Sequence, residues 1–254
     1  MTTRRTFIRG AAAGIAATTI LPYAARAQSQ DGDTFATDGG EITVHPVSHA
    51  SFVMETPAGV IYNDPVGEAS AYESFPAPDL ILITHEHGDH YNAETLAALV
   101  GEDTQLLTNP AVYDMLPEDL KAQATAIANG ETAEMMGVPI EAVPAYNTTE
   151  DRLQYHPEGR DNGYILEIDG MRVYIAGDTE GTDEMRALEN IDLAFVPMNL
   201  PYTMAVDQAA DAVADFAPTY VYPYHYRDSD PEEFAALLSE SDAETEVKMG
   251  PWYS

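Results

Sequence analysis

The 254-residue sequence contains no cysteine. Disulfides are therefore excluded, and so is any thiolate metal ligand; imidazole nitrogen and carboxylate oxygen remain as donors for a transition metal. Basic residues are scarce as well: 11 Lys and Arg stand against 43 Asp and Glu, a formal net charge of −32. Four of those bases, Arg4, Arg5, Arg9 and Arg26, lie near the N-terminus; without them seven bases face 43 acids, a net charge of −36. Such a surface has no clustered cations for nucleic-acid phosphates or an anionic membrane, so nucleic acid is excluded as a partner. The charge suits a well-hydrated protein in a saline exterior. Also lacking are an internal apolar run long enough to span a bilayer and any linker or low-complexity tract between residues 40 and 250. The length supports one substantial core and one domain.

The first residues differ from the rest. "MTTRRTFIRGAAAGIAATTILPYAARA" has a basic start, an alanine-rich apolar middle and an "ARA" ending, the pattern of an export signal cleaved after Ala27. Arg4 and Arg5, followed by Phe7, Ile8 and Arg9, specify the twin-arginine route. The expected partner is the twin-arginine export machinery, and the expected location is periplasmic or extracellular. Residues 28–40 are expected to be a flexible mature N-terminus, and 41–254 the folded domain.

Within that domain strands and helices alternate. "EITVHPV" (41–47), "SFVMET" (51–56) and "VIYNDP" (60–65) read as an antiparallel meander. "DLILIT" (79–84) is a continuous apolar run, as in a strand buried on both faces. A helix capped by Asn92 follows and stops at Gly101. "PIEAVPA" (139–145) is a strand, and 163–178 form a hairpin about Asp169-Gly170. Farther on come a strand in "DLAFVPMN", a helix in "VDQAADAVADF", a strand in "TYVYPYH", and a capping box at Ser229-Asp230-Pro231-Glu232 that opens the helix "FAALL".

Histidine is also rare, seven in all, yet three fall within "THEHGDHYN" (84–92). The cluster occupies the loop at the carboxyl end of a buried strand, where open α/β sheets bind ligands. His85 and His87, two apart in an extended segment, can face one cavity; Asp89 and His90, at the turn into the helix, point to a second position beside it. With no cysteine, these donors suit zinc, with manganese or iron as the other candidates.

"THEHGDH" resembles the signature of the metallo-β-lactamase superfamily, and three further stretches match the family's motifs in order: "VIYNDP" with Asp64, "YIAGDT" with Asp178 and "VYPYHY" with His225. "SHASFVMET" and "LPYTMAVDQAA" resemble the branch that includes ascorbate-6-phosphate lactonase and N-acylphosphatidylethanolamine phospholipase D. The resemblance implies an α/β fold, a four-layer αββα sandwich, carrying two divalent metal ions. His85, His87, Asp89, His90, Asp178 and His225 are then metal ligands, with Asp178 as the bridge. The family's third-motif histidine is missing after "IEAVPA", where Tyr146 and Asn147 stand; His156, the one unassigned histidine in the interval, is the expected substitute, with Asn147 as the alternative. Asp64 is expected behind a ligand, holding the cluster loop. His49 is either a residue that orients a ligand or a satisfied core histidine. The implied reaction is hydrolysis of a small-molecule ester, lactone, amide or phosphodiester by a hydroxide activated between the ions, with Asp89 also acting catalytically as a proton relay. The competing class is a non-catalytic or redox metalloprotein on the same fold. Arg152, Arg160 and Arg227 are candidates for holding an anionic substrate group.

Overall fold

The computed structural model describes residues 32–253, so the export segment 1–27 lies outside the described residues. Two seven-stranded sheets face each other. The first runs in order β1 (Asp33–Ala36), β2 (Glu41–Ser48), β3 (Ser51–Thr56), β4 (Gly59–Asn63), β5 (Leu80–Ile83), β6 (Gln105–Thr108) and β7 (Ala124–Ala126). The second takes β8 (Thr132–Met135), β9 (Val138–Ala145), β10 (Asp161–Ile168), β11 (Met171–Ile175), β12 (Leu193–Pro197), β13 (Tyr220–Tyr224) and β14 (Glu246–Val247), again as sequence neighbours. Each sheet is antiparallel in its first half and parallel in its second: β4–β5–β6–β7 and β11–β12–β13–β14 are the parallel runs.

Helices α1 (Ala93–Leu99), α2 (Pro110–Met115) and α3 (Glu118–Lys121) belong to the first half; α4 (Asp183–Arg186), α5 (Val206–Phe216) and α6 (Pro231–Ser239) belong to the second. Three apolar clusters define the layers. Between the sheets Phe52 and Phe195 stack at 4.1 Å between ring centroids, with Trp252 edge-on to both. Leu96, Val112, Leu116 and Leu120 pack against Val53, Ile81 and Ile83 on the outer face of the first sheet. Met185, Ala209, Val213, Phe216, Phe234 and Leu238 cover the second. The fold is the expected αββα sandwich, two sheets inside and helices outside.

Local chemistry explains the boundaries. Asn92 caps α1 by accepting the Thr95 N–H. The hairpin between β10 and β11 turns at Asp169-Gly170, both in the left-handed region. Two expectations need correction. The cap of α6 is Asp230, whose side chain accepts the Glu232 N–H, rather than Ser229. The stretch 28–40, expected to be flexible, contains β1, paired to β2 through Asp33–Ala36, and Asp33 accepts the Tyr222 hydroxyl at 2.6 Å.

Candidate metal centre

The site lies where the parallel strands of both sheets end. Asp64 follows β4, the His85–His90 loop follows β5, Asp178 follows β11 and His225 follows β13. His49 sits in the turn between β2 and β3, and His156 in the long connection between β9 and β10. His49, Asp64 and His225 have positive φ, from 42 to 55°. Non-glycine residues adopt that region at a cost of roughly 1 kcal/mol each, borne where the surroundings demand it. The chain can reach Asp178 because residue 177 is glycine: φ is +66°, and a Cβ there would come within 2.8 Å of the Asn162 carbonyl oxygen.

On one side of Asp178 three rings converge. His85 Nε2 lies 3.1 Å from His87 Nδ1, and the donor atoms of His85, His87 and His156 all fall within 4.8 Å of one another. Asp178 Oδ2 is 3.9 Å from His85 Nε2 and 3.4 Å from His156 Nε2. The back of each buried ring is fixed. Thr84 gives its hydroxyl proton to Asp64 at 2.7 Å, so its oxygen takes His85 Nδ1–H at 3.0 Å. His156 Nδ1–H donates to Asp161 at 2.9 Å. Both assignments follow because an ionised carboxylate only accepts, and they turn Nε2 of each ring toward the cluster. Burial, with His90 nearby, holds His85 well below the usual imidazole range, and burial with His156 lowers His87. These are neutral rings.

On the other side stand Asp89, His90 and His225, with His49 behind them. His90 Nε2 approaches Asp178 Oδ1 at 3.2 Å; His225 Nε2 lies 3.2 Å from Asp178 Oδ2 and 3.6 Å from Asp89 Oδ2. Asp64, fully buried, accepts His90 Nδ1–H at 2.8 Å and the Thr84 N–H at 2.8 Å, so it fixes both the ring and the cluster loop. His49 donates Nε2–H to Asp89 Oδ2 at 3.0 Å and accepts the Tyr253 hydroxyl at 2.5 Å. Both its nitrogens are thus committed, and it orients Asp89. Burial raises the Asp89 carboxyl, but the facing His225 ring and the hydrogen bond from His49 outweigh it and leave the group far below its ordinary range. Burial likewise opposes charge on Asp178, and His225 and His90 overcome it.

The donors fit a metal on two grounds. His90 Nε2, His156 Nε2, both nitrogens of His225 and Asp178 Oδ1 are buried without a hydrogen-bond partner. The 3.2 Å approach of His90 to Asp178 lacks hydrogen-bond geometry, which is why the two oppositely inclined groups both remain unsatisfied. Each such group costs about 1–3 kcal/mol, so a cluster of them requires a shared partner. The spacing is also right: bonds of about 2.05 Å to a tetrahedral ion place neighbouring donors about 3.3 Å apart, against 3.1–3.9 Å here. For His90 the protein's own groups act differently: burial disfavours its proton, but Asp178 and Asp64 raise it well above the usual imidazole range. A cation at Nε2 competes with that proton directly.

The structure therefore brings His85, His87, His156, Asp89, His90, Asp178 and His225 to one place. Asn147, the alternative ligand, is buried with its Oδ1 unpartnered and its other groups engaged. Its amide donates to the carbonyls of Arg152 and Tyr202, and its backbone N–H to the His156 carbonyl, so it pins the loop that carries the histidine. Arg152 and Arg160 are not free for substrate. Arg152 is engaged by Glu180, Thr149 and the Thr203 carbonyl; Arg160 chelates Asp161 and reaches Glu86 at 3.0 Å. Four supports escape the sequence reading: Thr84, Asp161, Glu180 and Tyr253. Glu180, fully buried, accepts the backbone and hydroxyl groups of both Thr148 and Thr149. Its place two residues after Asp178 was its one signal.

A cleft of about 700 Å³ opens onto the cluster. Its floor is His87, Asp89, His156, Asp178 and His225, and its walls include Tyr155, Leu200, Tyr202 and Arg227.

Residues 43–225, which hold every one of these donors, match the family described as a beta-lactamase superfamily domain. A UPF0173 metal-dependent hydrolase of Pyrococcus furiosus is 32% identical over 219 residues, 80% of this chain and 95% of the relative. Among solved structures, a chain from Parabacteroides distasonis assigned as a metal-dependent hydrolase superposes with a TM-score of 0.79 at 43% identity, covering 86% of this chain and 97% of that one. Igni18, a metallo hydrolase of Ignicoccus hospitalis, gives 0.67 at 25% identity over 82% and 94%.

Proposed function

The chain belongs to the β-lactamase superfamily and, within it, to the metal-dependent hydrolases, and from that premise we propose that it hydrolyses a small molecule using two divalent cations held on either side of Asp178. Zinc fits the neutral imidazole and carboxylate donors, with manganese and iron as the other candidates. His85, His87 and His156 would hold one ion, Asp89, His90 and His225 the other, and Asp178 would reach both. When bound, such ions polarise the oxygen under attack and lower the pKa of water toward neutrality.

The protein's own residues do the rest. Asp64 and Asp161 hold the rings of His90 and His156 by their Nδ1–H groups, so that each Nε2 faces inward. Asp89 keeps its charge against burial, faces the cleft and is aimed by His49. Its Oδ2 is placed to take the proton of an attacking water and pass it to the leaving group. Esters, lactones, amides and phosphodiesters all suit this arrangement. The likeness of "SHASFVMET" and "LPYTMAVDQAA" to the lactonase and phospholipase D branch adds lactones and phosphodiesters as the first to try.

One observation carries the reading: three buried ring nitrogens without partners lie within 3.4 Å of the Asp178 carboxylate. Metal content per chain, measured beside turnover on those four substrate classes, tests it. About two ions per chain and activity that is lost to a chelator and restored by metal are expected. Ions without turnover on any class would reduce the protein to a metal binder, and no bound ion would end the reading.

We further propose export through the twin-arginine route to the periplasm or exterior, on the strength of Arg4-Arg5 and the "ARA" ending. Arg4→Lys with Arg5→Lys should leave a folded precursor inside the cell; normal release of a form starting at Gln28 would refute the route.

A further inference from the structure

The chain has 43 acids, so almost every base should find a partner. Among the described residues six of seven hold theirs by a side-chain hydrogen bond, and the seventh has only a longer ion pair. Lys121, Arg152, Arg160, Arg172, Arg186 and Lys248 each donate a hydrogen bond to a protein acceptor. Arg227 is the exception. Its side chain is 53% exposed, its nearest carboxylate oxygen is Asp89 Oδ2 at 3.6 Å, and it donates no side-chain hydrogen bond. Asp228, its chain neighbour, lines the same cleft and does not pair with it. Asp89 itself is already held by His49 and lies against His225, so its charge is committed to the metal centre.

The placement of Arg227 is built rather than incidental. It follows β13 two residues after His225, and both have left-handed φ, 41 and 48°, which β-carbon-bearing residues resist. The side chain lines the cleft and stays half exposed. The same cleft has an apolar wall: Leu200 and Tyr202 are exposed, Pro201 lies between them, and Tyr155 meets Tyr202 edge-on at 4.9 Å. Large apolar side chains left open beside a polar floor mark a ligand surface.

We propose that Arg227 reads an oxyanion on the substrate, a carboxylate or a phosphate near the bond that is cut, while Tyr155, Leu200 and Tyr202 receive an apolar or aromatic body. A guanidinium suits such a group because its planar donors meet two oxygens at once. The protein's overall negative charge does not forbid this. Exposed acids beyond a Debye length of about 8–10 Å are screened at physiological salt, whereas Arg227 acts at contact. The proposal rests on the hydrolase reading above and narrows it.

The test compares 4-nitrophenyl hydrogen glutarate with neutral 4-nitrophenyl butyrate, each on the metal-loaded parent, Arg227→Leu and Arg227→Lys. The readout is the ratio of kcat/KM for the anionic over the neutral ester. A charge-assisted contact predicts that Arg227→Leu lowers the ratio on the order of 10- to 100-fold and that Arg227→Lys, which keeps the charge but not the two-pronged geometry, falls between Arg227→Leu and the parent. A merely structural Arg227 would depress both esters together and leave the ratio fixed, which would overturn the proposal. If the parent cleaves neither ester, the hydrolase reading fails on these substrates and the proposal is judged by binding alone. Calorimetry with 4-phenylbutyrate, phenyl phosphate and uncharged 4-phenylbutyramide should then show the parent favouring one anion, naming the source, and Arg227→Leu losing that preference. Equal affinity for all three probes in the parent would sink it.

Discussion

The two sides of Asp178 offer similar donors on very different supports. On the side of Asp89, His90 and His225, the candidate donors hang from the ends of β5 and β13, and Asp64 behind them hangs from β4. Hydrogen-bonded ladders set their positions. On the other side His85 and His87 share that security, but His156 is delivered by a long irregular connection between β9 and β10. That connection is held by charge: Arg160 ties Asp161 to Glu86 in the cluster loop, and Glu180 gathers Thr148, Thr149 and Arg152. Strand ends give one half of the centre its geometry through the backbone, while buried side-chain pairs give the other half its geometry through electrostatics.

The contrast can be broken at four points. Asp178→Ala removes what the two sides share, so both should fail: metal content should fall below one ion per chain and turnover should vanish, as read by elemental analysis and the substrate panel. His156→Ala should divide them. About one ion per chain should remain on the strand-supported side, and retention of two tightly bound ions would show that His156 is not a ligand. Asp161→Asn tests the loop side more gently. The ring would keep its place but lose its anionic partner, and affinity for one of the two ions should fall about 10- to 100-fold in a zinc titration. Glu180→Gln should act on the tether itself. Breaking a buried ion pair costs about 3–5 kcal/mol when a charge is stranded; with an amide still accepting from Thr148 and Thr149, a loss of about 2 kcal/mol in unfolding free energy is expected. Faster hydrogen exchange should be confined to residues 147–156, and equal acceleration in β13 would contradict the separation of the two supports.

The same division decided what could be read beforehand. The His85–His90 cluster was legible because a buried strand announces itself as an apolar run and its terminal residues follow at once, as in "DLILIT" before His85. Asp64, Asp178 and His225 also follow strands, but the likeness of "VIYNDP", "YIAGDT" and "VYPYHY" to the family's motifs singled them out. His156 was reached only by elimination among seven histidines. Asp161 and Glu180 could not be picked out among 43 acids, since a buried anchoring carboxylate and a solvated one look alike until the fold buries one of them. Short elements were also hard to see: β1 hides in a stretch of Gly, Asp and Thr, and only its pairing to β2 reveals it. At α6 the pattern had two possible caps in adjacent positions, and the nearer acid won.

One feature of the fold reaches beyond catalysis. The two sheets touch at the site through main-chain bonds, His225 N–H to the His49 carbonyl and Asn162 N–H to the Thr84 carbonyl, with Tyr164 adding its hydroxyl to the Ile83 carbonyl. Donors from both sheets surround Asp178, so an ion bound there reinforces a seam that these hydrogen bonds and the shared apolar core already hold. Binding energy is then also cohesion energy, growing with the logarithm of free metal over its dissociation constant. Local stability becomes a function of metal supply: in plentiful metal the seam at the site should open only with the whole fold, and in starvation it should be the first part of the shared core to loosen.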